Sequence, residues 1–480
     1  MKKVFIKIIT LVMAMAMLLS FAACGKKTTT EEDGPASATP KPQPDNIVAS
    51  IKLSGYTFYD GCDNLERYKN AYNADYPGVE VTIDRDDITS EVYFDAIDDI
   101  LYGDGTAEVN YDALGDVILL DSARMTKLAE EGKLVDLSEY IDDLMNYQSF
   151  KKVNPSTDLL KAAHEASLYD GQMYMCPIEY NHKFVFLNYS LLEANGFSFP
   201  SDDWTWKDIL AMAETLKGAG VTNPIVMDYS DYTVWGSFAR SYGKEIYDFI
   251  GNSTTKKELN LTAPAVVQGL TDLADFANPA KGLVVCKDAS ELTVKDLEES
   301  AFIIADHEDI TRWEEDLKAE SCPFTWDYIH FPRWNDANYA ENKTYYQSIG
   351  TNVYGFAVVD HGKNETYDDE FYRACAILAL YGLMPEASEA YCKDGEAVPA
   401  NKVANELKFW REYPVDGKNS SVFSNFAETA DFSGNLSCFM PVMSESEIDI
   451  MKAFTAYWAG TPMIKSLQTL QDNAIISWID

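Results

Sequence analysis

The stretch from which the fold can be read is Gly115-Asp116-Val117-Ile118-Leu119-Leu120-Asp121-Ser122-Ala123-Arg124-Met125-Thr126-Lys127-Leu128-Ala129-Glu130-Glu131-Gly132. Asp116 to Leu120 opens into a continuous apolar run, as in a central strand covered on both faces of a parallel sheet. A helix follows from Met125 to Glu131 and closes at Gly132. Working back from this point, Ile47 to Leu53 alternates apolar and polar residues and reads as a first strand. Leu65 to Tyr76 is helical, and Pro77-Gly78 stops it before a strand over Val79 to Ile83. A helix around Glu91 to Leu101 then leads into the quoted stretch. Forward of it the pattern resumes with a strand over Phe184 to Leu187, an amphipathic helix over Trp206 to Leu216, and a strand over Pro224 to Met227. Strands alternating with helices predict an α/β fold, a mostly parallel sheet with helices on both faces. No internal repeat of fixed period is present.

Outside this body the chain begins with an address. Lys2, Lys3 and Lys7 precede the apolar stretch Ile8 to Ala23, about 24 Å long as a helix and short of the ~30 Å hydrocarbon core of a bilayer. It ends on Phe21-Ala22-Ala23-Cys24-Gly25, so residues 1–23 read as an export signal. The segment resembles a bacterial lipoprotein signal, whose cysteine, here Cys24, becomes the lipid-modified first residue; Phe21 stands where Leu is usual. Residues 25–46 carry no large apolar side chain and form a Pro-rich tether. No other apolar stretch is long enough to span a bilayer. The remaining body, about 435 residues, exceeds what one core supports and suits two domains. Hydrophobic residues at 46% and aromatics at 13% are globular values. The net charge of −38 becomes −41 once the three signal lysines are removed. So acidic a surface repels phosphate backbones and excludes nucleic acid as a partner. Seven cysteines after Cys24, none in a CxxC pair, make an odd count that is no disulfide framework, and buried free thiols are expected.

Several further motifs carry a resemblance. Ala74-Asp75-Tyr76-Pro77-Gly78-Val79-Glu80-Val81 is similar to the F-x-x-x-x-P-G-V-x-V opening of family 1 extracellular solute-binding proteins, the group that contains maltose-binding protein and many oligosaccharide-binding lipoproteins. Gly115 to Leu119 followed by Leu128 to Leu137 resembles that family's P-D-V-I … A-x-x-G-x-L-x-D-L segment, with Gly115 in place of Pro. Tyr169 to Pro177 resembles DGKxYGxP, and Leu187 to Phe197 resembles YNKxLFxxAG. Trp204 to Asp208, Ala301 to Ile304 and Tyr354 to Val358 match later family segments in order. The resemblance covers roughly residues 47 to 400. It implies the two-lobed periplasmic-binding fold of the maltose-binding type, type II, with lobes of 47–180 plus about 350–398, and about 181–349 plus 399–480. Chain crossings are expected near Tyr180 to Lys183, Phe331 to Gly350 and Val398 to Asn401. The implied function is capture of a carbohydrate, an oligosaccharide, between the lobes for the membrane permease subunits of an ABC importer. The protein is expected as a monomer on the outer face of a Gram-positive cell membrane, touching the membrane only through its lipid.

Enzyme signatures are missing. The five histidines have no HExxH or other ligand spacing, so no metal and no cofactor is expected. There is no GxSxG elbow and no Walker A loop. Gly103-Asp104-Gly105 reads as a turn, and Asp84-Arg85-Asp86-Asp87 lacks the glycine and glutamate of a calcium loop. No catalytic residue is assigned. A glycoside hydrolase, which needs only two carboxylates, stays open on composition alone, as does a binder of peptides or polyamines.

Sugar sites combine aromatic faces with planar polar side chains. Trp235 follows Asp228-Tyr229-Ser230-Asp231-Tyr232, where the family places an aromatic on the ligand; packing is the competing role. Asp121, Ser122 and Arg124 stand at the carboxyl end of the central strand, with Asp121 alternatively a helix N-cap. Glu179, Tyr180 and Asn181 fall at the first crossing, where Asn181 matches a family contact and a hinge hydrogen bond is the alternative. His307 and Glu308 follow the strand Phe302 to Ala305. Trp410 falls where maltose-type proteins place a stacking tryptophan, against a helix-core alternative.

Overall fold

The computed structural model describes residues 49–58, 62–84, 89–101, 111–144, 154–201, 204–244, 246–249, 257–318, 322–332, 351–393, 397–413, 415, 417–425 and 449–479. The export signal, Cys24, the whole tether, Arg85 to Asp87, Gly103 to Gly105 and Cys438 lie outside these residues.

The described strands are, in chain order, β1 (Ala49–Ser54), β2 (Val79–Asp84), β3 (Val117–Asp121), β4 (Leu168–Tyr169), β5 (Gln172–Met173), β6 (Cys176–His182), β7 (Phe184–Asn188) and β8 (Asn223–Val226). They continue with β9 (Tyr247–Phe249), β10 (Lys257–Leu259), β11 (Val284–Val285), β12 (Ser300–Ala305), β13 (Trp326–Ile329), β14 (Thr351–Val358) and β15 (Val398–Pro399). Two sheets carry the two lobes, one in the order β15-β6-β14-β3-β1-β2 and the other β11-β8-β12-β7-β13. The pairs β4–β5 and β9–β10 are small antiparallel hairpins.

Both sheets are mixed rather than mostly parallel. β1 runs parallel to β2 and β3, and β8 parallel to β11 and β12. β14 is antiparallel to β3 and β6, β15 to β6, and β7 to β12 and β13. Parallel neighbours need a crossover of a dozen or more residues. The strands that pass between lobes lack one: only Lys183 separates β6 in the first sheet from β7 in the second. Strand-helix alternation gives β1, β2, β3, β7 and β8 but not the antiparallel direction of β7 or the strand β6 that enters it.

Local signals set the element ends. Thr205 and Asp208 form a reciprocal capping box at the start of the helix Trp206–Gly218. Asp121 starts the helix Ser122–Glu130 earlier than the apolar pattern indicates, because its carboxylate accepts the Arg124 backbone N–H at 2.8 Å. One core gathers Ile51, Leu53, Val117, Ile118, Phe356 and Ile377; the other gathers Val185, Leu187, Trp206, Ile225, Phe302 and Leu273. After β15 the chain touches both sheets. The Ala400 N–H donates to Ile178 O at 3.1 Å on the first, while the Asn419 N–H donates to Asp327 Oδ1 at 2.8 Å on the second. The helices Ile450–Trp458 and Met463–Ile479 add Phe454 and Leu467 to the second core.

No disulfide joins the described cysteines. Cys62, Cys176, Cys375 and Cys392 are buried thiols, Cys322 is half-buried, and Cys286 departs from the expectation by lying exposed. Among the described residues no helix is long and apolar enough to cross a membrane.

Candidate functional site

Strand register builds the floor of a cleft. Tyr354 on β14 lies opposite Asp121 on β3 and Glu179 on β6, and Glu179 lies opposite Pro399 on β15. Residues directly opposite one another share a sheet face. These four therefore form one row that runs from the carboxyl end of β3 to the middle of β6. A register shift falls between Tyr354 and Gly355. A Cβ on Gly355 would stand 2.3 Å from the Cys176 carbonyl oxygen, so only glycine lets the strands approach at this irregularity.

Side chains lock the row from behind. The Tyr354 ring stacks on Phe94 at 5.9 Å, and the Arg124 guanidinium covers Phe94 at 4.4 Å. Arg124 is itself held, its Nε donating to Asp98 Oδ1 at 2.7 Å and its Nη1 to Asp121. The Tyr56 hydroxyl donates to Glu179 Oε1, and the Tyr56 ring meets Tyr354 edge-on at 5.9 Å. Glu179 Oε2 has no hydrogen-bond partner among the described residues although the residue is 3% exposed. Burial, reinforced by Glu308, pushes the Glu179 carboxyl up to about 8, while the Tyr56 hydrogen bond works the other way.

The opposite wall comes from the second lobe. β12 ends at Ala305, and Asp306 and Asp309 cap each other's backbone N–H groups at 3.0 and 3.3 Å to begin the helix His307–Lys318. The His307 N–H donates to Asn181 Oδ1 of β6 at 3.1 Å. The His307 ring packs among Trp410, Tyr413 and Phe423, and burial lowers its pKa to about 4. Glu308, its side chain 43% exposed onto the cleft, is pushed up to about 7 by enclosure and by Asp306, against Arg312 and Lys183. Lys183, in the crossing itself, stays protonated despite burial because Asp306 and Asp231 each hold its Nζ at 3.1 Å.

Five of the residues singled out in the sequence, Glu179, Tyr180, Asn181, His307 and Glu308, line one small cavity of about 10 Å³. Phe58, Tyr354, Ala397 and Val398 complete its walls. Asp121 and Arg124 sit behind Tyr354, and Asp121 is the N-cap that was its alternative role. Ser122 is buried in the first turn of the same helix, its carbonyl accepting from Thr126 Oγ1 at 2.9 Å. Two tryptophans require correction. Trp235 is 2% exposed in the second core, its ring edge-on to Tyr232 at 4.8 Å, and it lines no part of the cavity. It falls within the helix Tyr232–Arg240, where Val234, Phe238 and Ala239 are also buried. Trp410 is 1% exposed behind His307, its Nε1 donating to Asn405 O at 2.7 Å, and supports the wall without lining it.

Phe58 and Tyr354 escaped the sequence reading. The run Tyr56-Thr57-Phe58 follows β1 after Gly55 alone, so the rule applied to the strand before Asp121, that ligands lie at carboxyl ends, would have found Phe58. Nothing local marks Tyr354, which reaches the cleft through its register. Among the described residues no group of three or more His, Cys, Asp or Glu is placed to hold a metal ion.

A family model described as bacterial extracellular solute-binding protein matches residues 68–415. Comparison with curated proteins finds no match. Among solved structures, the sugar-binding protein MalE from Xanthomonas citri superposes with a TM-score of 0.69 at 13% identity, over 90% of this chain and 98% of that one. The ABC substrate-binding protein Lmo0181 from Listeria monocytogenes, in complex with cycloalternan, gives 0.64 at 16% identity over 90% and 99%. UgpB from Mycobacterium tuberculosis, in complex with glycerophosphocholine, also gives 0.64 at 16%, over 89% and 98%. At these identities the likeness shows a shared two-lobed fold.

Proposed function

Because this chain belongs to the bacterial extracellular solute-binding proteins, we propose that it captures a carbohydrate, an oligosaccharide, between its two lobes and delivers it to the permease subunits of an ABC importer. The observation that carries this reading is the cleft wall. Phe58 and Tyr354 offer aromatic surface of the kind that covers the apolar side of a pyranose, and Glu179 and Asn181 beside them offer polar groups for its hydroxyls. Asp121 and Arg124 act by holding Tyr354 in place. Two of the solved relatives carry names or ligands of the sugar class, MalE and the cycloalternan complex, which agrees with this assignment.

The cavity volume also fits a protein that moves. About 10 Å³ is barely room for one water molecule, so an oligosaccharide enters only if the lobes part. The hinge is then Lys183 with the two later crossings, and the lobes follow the divisions 47–180 with about 350–398, and about 181–349 with 399–480. Ligand favours closure only by contacting both lobes better when they are shut. Here Glu179 belongs to one lobe and Glu308 to the other. We assign the protein to the outer face of the cell membrane as a monomer anchored through a lipid on Cys24. The bound sugar leaves unchanged, so the protein is no enzyme.

A thermal-shift screen of the soluble body against mono- and oligosaccharides tests the function. A ligand at 100 times its dissociation constant adds about 2.7 kcal/mol to stability. Sugar hydrolysed in proportion to protein, and spared by changing Glu179 or Glu308, would replace this reading with a glycoside hydrolase. Stabilisation by spermidine or a peptide alone would replace it with a binder of those solutes.

A further inference from the structure

The cavity is lined by two carboxylates and by no lysine or arginine among the described residues. Glu179 comes from β6 of the first lobe, and Glu308 from the first turn of a helix of the second. The cations nearby are already held: Lys183 by Asp306 and Asp231, Arg312 by Asp309, and Arg124 by Asp98 and Asp121. Lys183 and Arg312 face Asp231, Asp306, Asp309 and Glu308, so acidic groups outnumber basic ones on the second-lobe side. The other polar residues of the lining, Tyr180, Asn181, His307 and Tyr354, add no cation, for the His307 ring is kept neutral by burial and its Nδ1 has no partner among the described residues.

A second observation points to a missing donor. Glu179 Oε2 is buried and without a partner among the described residues, although the cavity opens beside it. A neutral hydroxyl satisfies that oxygen but brings no charge. A cation arriving between the two carboxyl groups, held up at about 8 and 7 without one, draws off their protons and pairs with the carboxylates that result. An ammonium group has three donors and a full positive charge. It can therefore serve both carboxylates at once, and Phe58 and Tyr354 supply aromatic surface that favours a cation. The acidic surface of the whole protein steers such a ligand inward.

We propose that the cleft selects a saccharide bearing a protonated amine, with the ammonium held between Glu179 of one lobe and Glu308 of the other. This rests on the carbohydrate reading above and narrows it to amino sugars. Closure then draws the two carboxylates onto one cation, so the same contact that gives specificity also favours the closed state.

The test compares matched ligands on the full soluble body at pH 6.5 by calorimetric titration. The probes are the trimer of β-1,4-linked glucosamine, its fully N-acetylated form, maltotriose and spermidine. Charge-assisted hydrogen bonds lead us to expect the glucosamine trimer to bind about tenfold or more tightly than its acetylated form. Glu179→Gln, which keeps the Tyr56 hydrogen bond, and Glu308→Gln, at a half-open position, should each reduce that preference to about threefold or less. Equal binding of the two trimers, or tighter binding of the acetylated trimer or maltotriose, overturns the inference and leaves the carbohydrate reading standing. Binding of spermidine alone overturns both. A preference for the glucosamine trimer that survives both substitutions, or no binding of that trimer at millimolar concentration, also overturns the inference.

Discussion

Replacing Trp235 with alanine separates packing from binding on a single residue. The side chain is 2% exposed in the second-lobe core, on a helix whose residues from Thr233 to Arg240 are all buried. An aromatic side chain of this kind buries roughly 150–250 Å², which at about 25 cal/mol/Å² corresponds to roughly 4–6 kcal/mol. That is an upper bound, because an unfolded chain is not fully extended. Truncations of Phe or Trp in cores cost about 3–5 kcal/mol, and Trp235→Ala should fall in that range. The assay is urea unfolding of the soluble body without ligand, followed through both lobes by fluorescence and circular dichroism, with sugar affinity measured on the folded fraction. Stability should drop while affinity per folded molecule changes less than about twofold. Phe58→Ala provides the contrast. Its ring is only partly buried at the cavity wall, and losing an aromatic contact worth about 1–1.5 kcal/mol weakens binding about five- to twelvefold. An affinity loss of that size in Trp235→Ala, with stability intact, would return Trp235 to the site and refute the core assignment.

Glu179→Gln should change the pH dependence of stability. The Glu179 pKa is raised to about 8 in the folded protein, so between the unfolded value near 4.3 and about 8 the folded state holds the extra proton. The Glu179 contribution is therefore full below about pH 4.3 and is lost as pH rises through 8, on the order of 1.4 kcal/mol per unit. His182 and His307, whose pKa values fall to about 3 and 4 on burial, act in the opposite direction, adding stability as pH rises towards 6.5. The difference between Glu179→Gln and the parent in urea titrations at pH 5 and pH 8 isolates the carboxylate, and a difference independent of pH contradicts its raised pKa. Gly355→Ala forces a Cβ against the Cys176 carbonyl and should cost about 1–3 kcal/mol while weakening sugar binding through Tyr354; full stability and affinity would show that the strands yield. Lys183→Met leaves Asp231 and Asp306 facing each other without their cation. Breaking such a pair costs about 3–5 kcal/mol when fully buried, and the partial exposure of both aspartates brings the expected loss nearer 2–3 kcal/mol, read by urea unfolding and partly restored by adding Asp306→Asn. Cys24→Ser should release a chain into the medium that still binds sugar, whereas membrane retention would mean an uncleaved apolar helix.

The α/β character, the strands β1, β2, β3, β7 and β8 and most helix ends were readable from the sequence because their causes act over a few residues. The apolar run Val117 to Leu120 reports burial on two faces, and Thr205 with Asp208 satisfies the first N–H groups of a helix from within one turn. Glu179 to Asn181 and His307 with Glu308, which line the cavity, could be singled out because carboxyl ends of strands and chain crossings are positions along the sequence; Asp121 to Arg124, singled out on the same ground, lie behind it. The mixed sheets were not legible: strand direction at β6, β7 and β14 follows from the passage between lobes, which leaves no periodic trace. The row joining Asp121, Tyr354 and Glu179 exists only through the register of β3, β14 and β6, and register is fixed when distant segments pack. The same holds for the aromatic residues. Trp235 and Phe58 both follow strands and both carry large apolar rings, but only the assembled lobe turns one into the core and leaves the other at the cleft. Residue type sets how much surface a side chain can cover, and tertiary packing sets whether a ligand or the protein itself covers it.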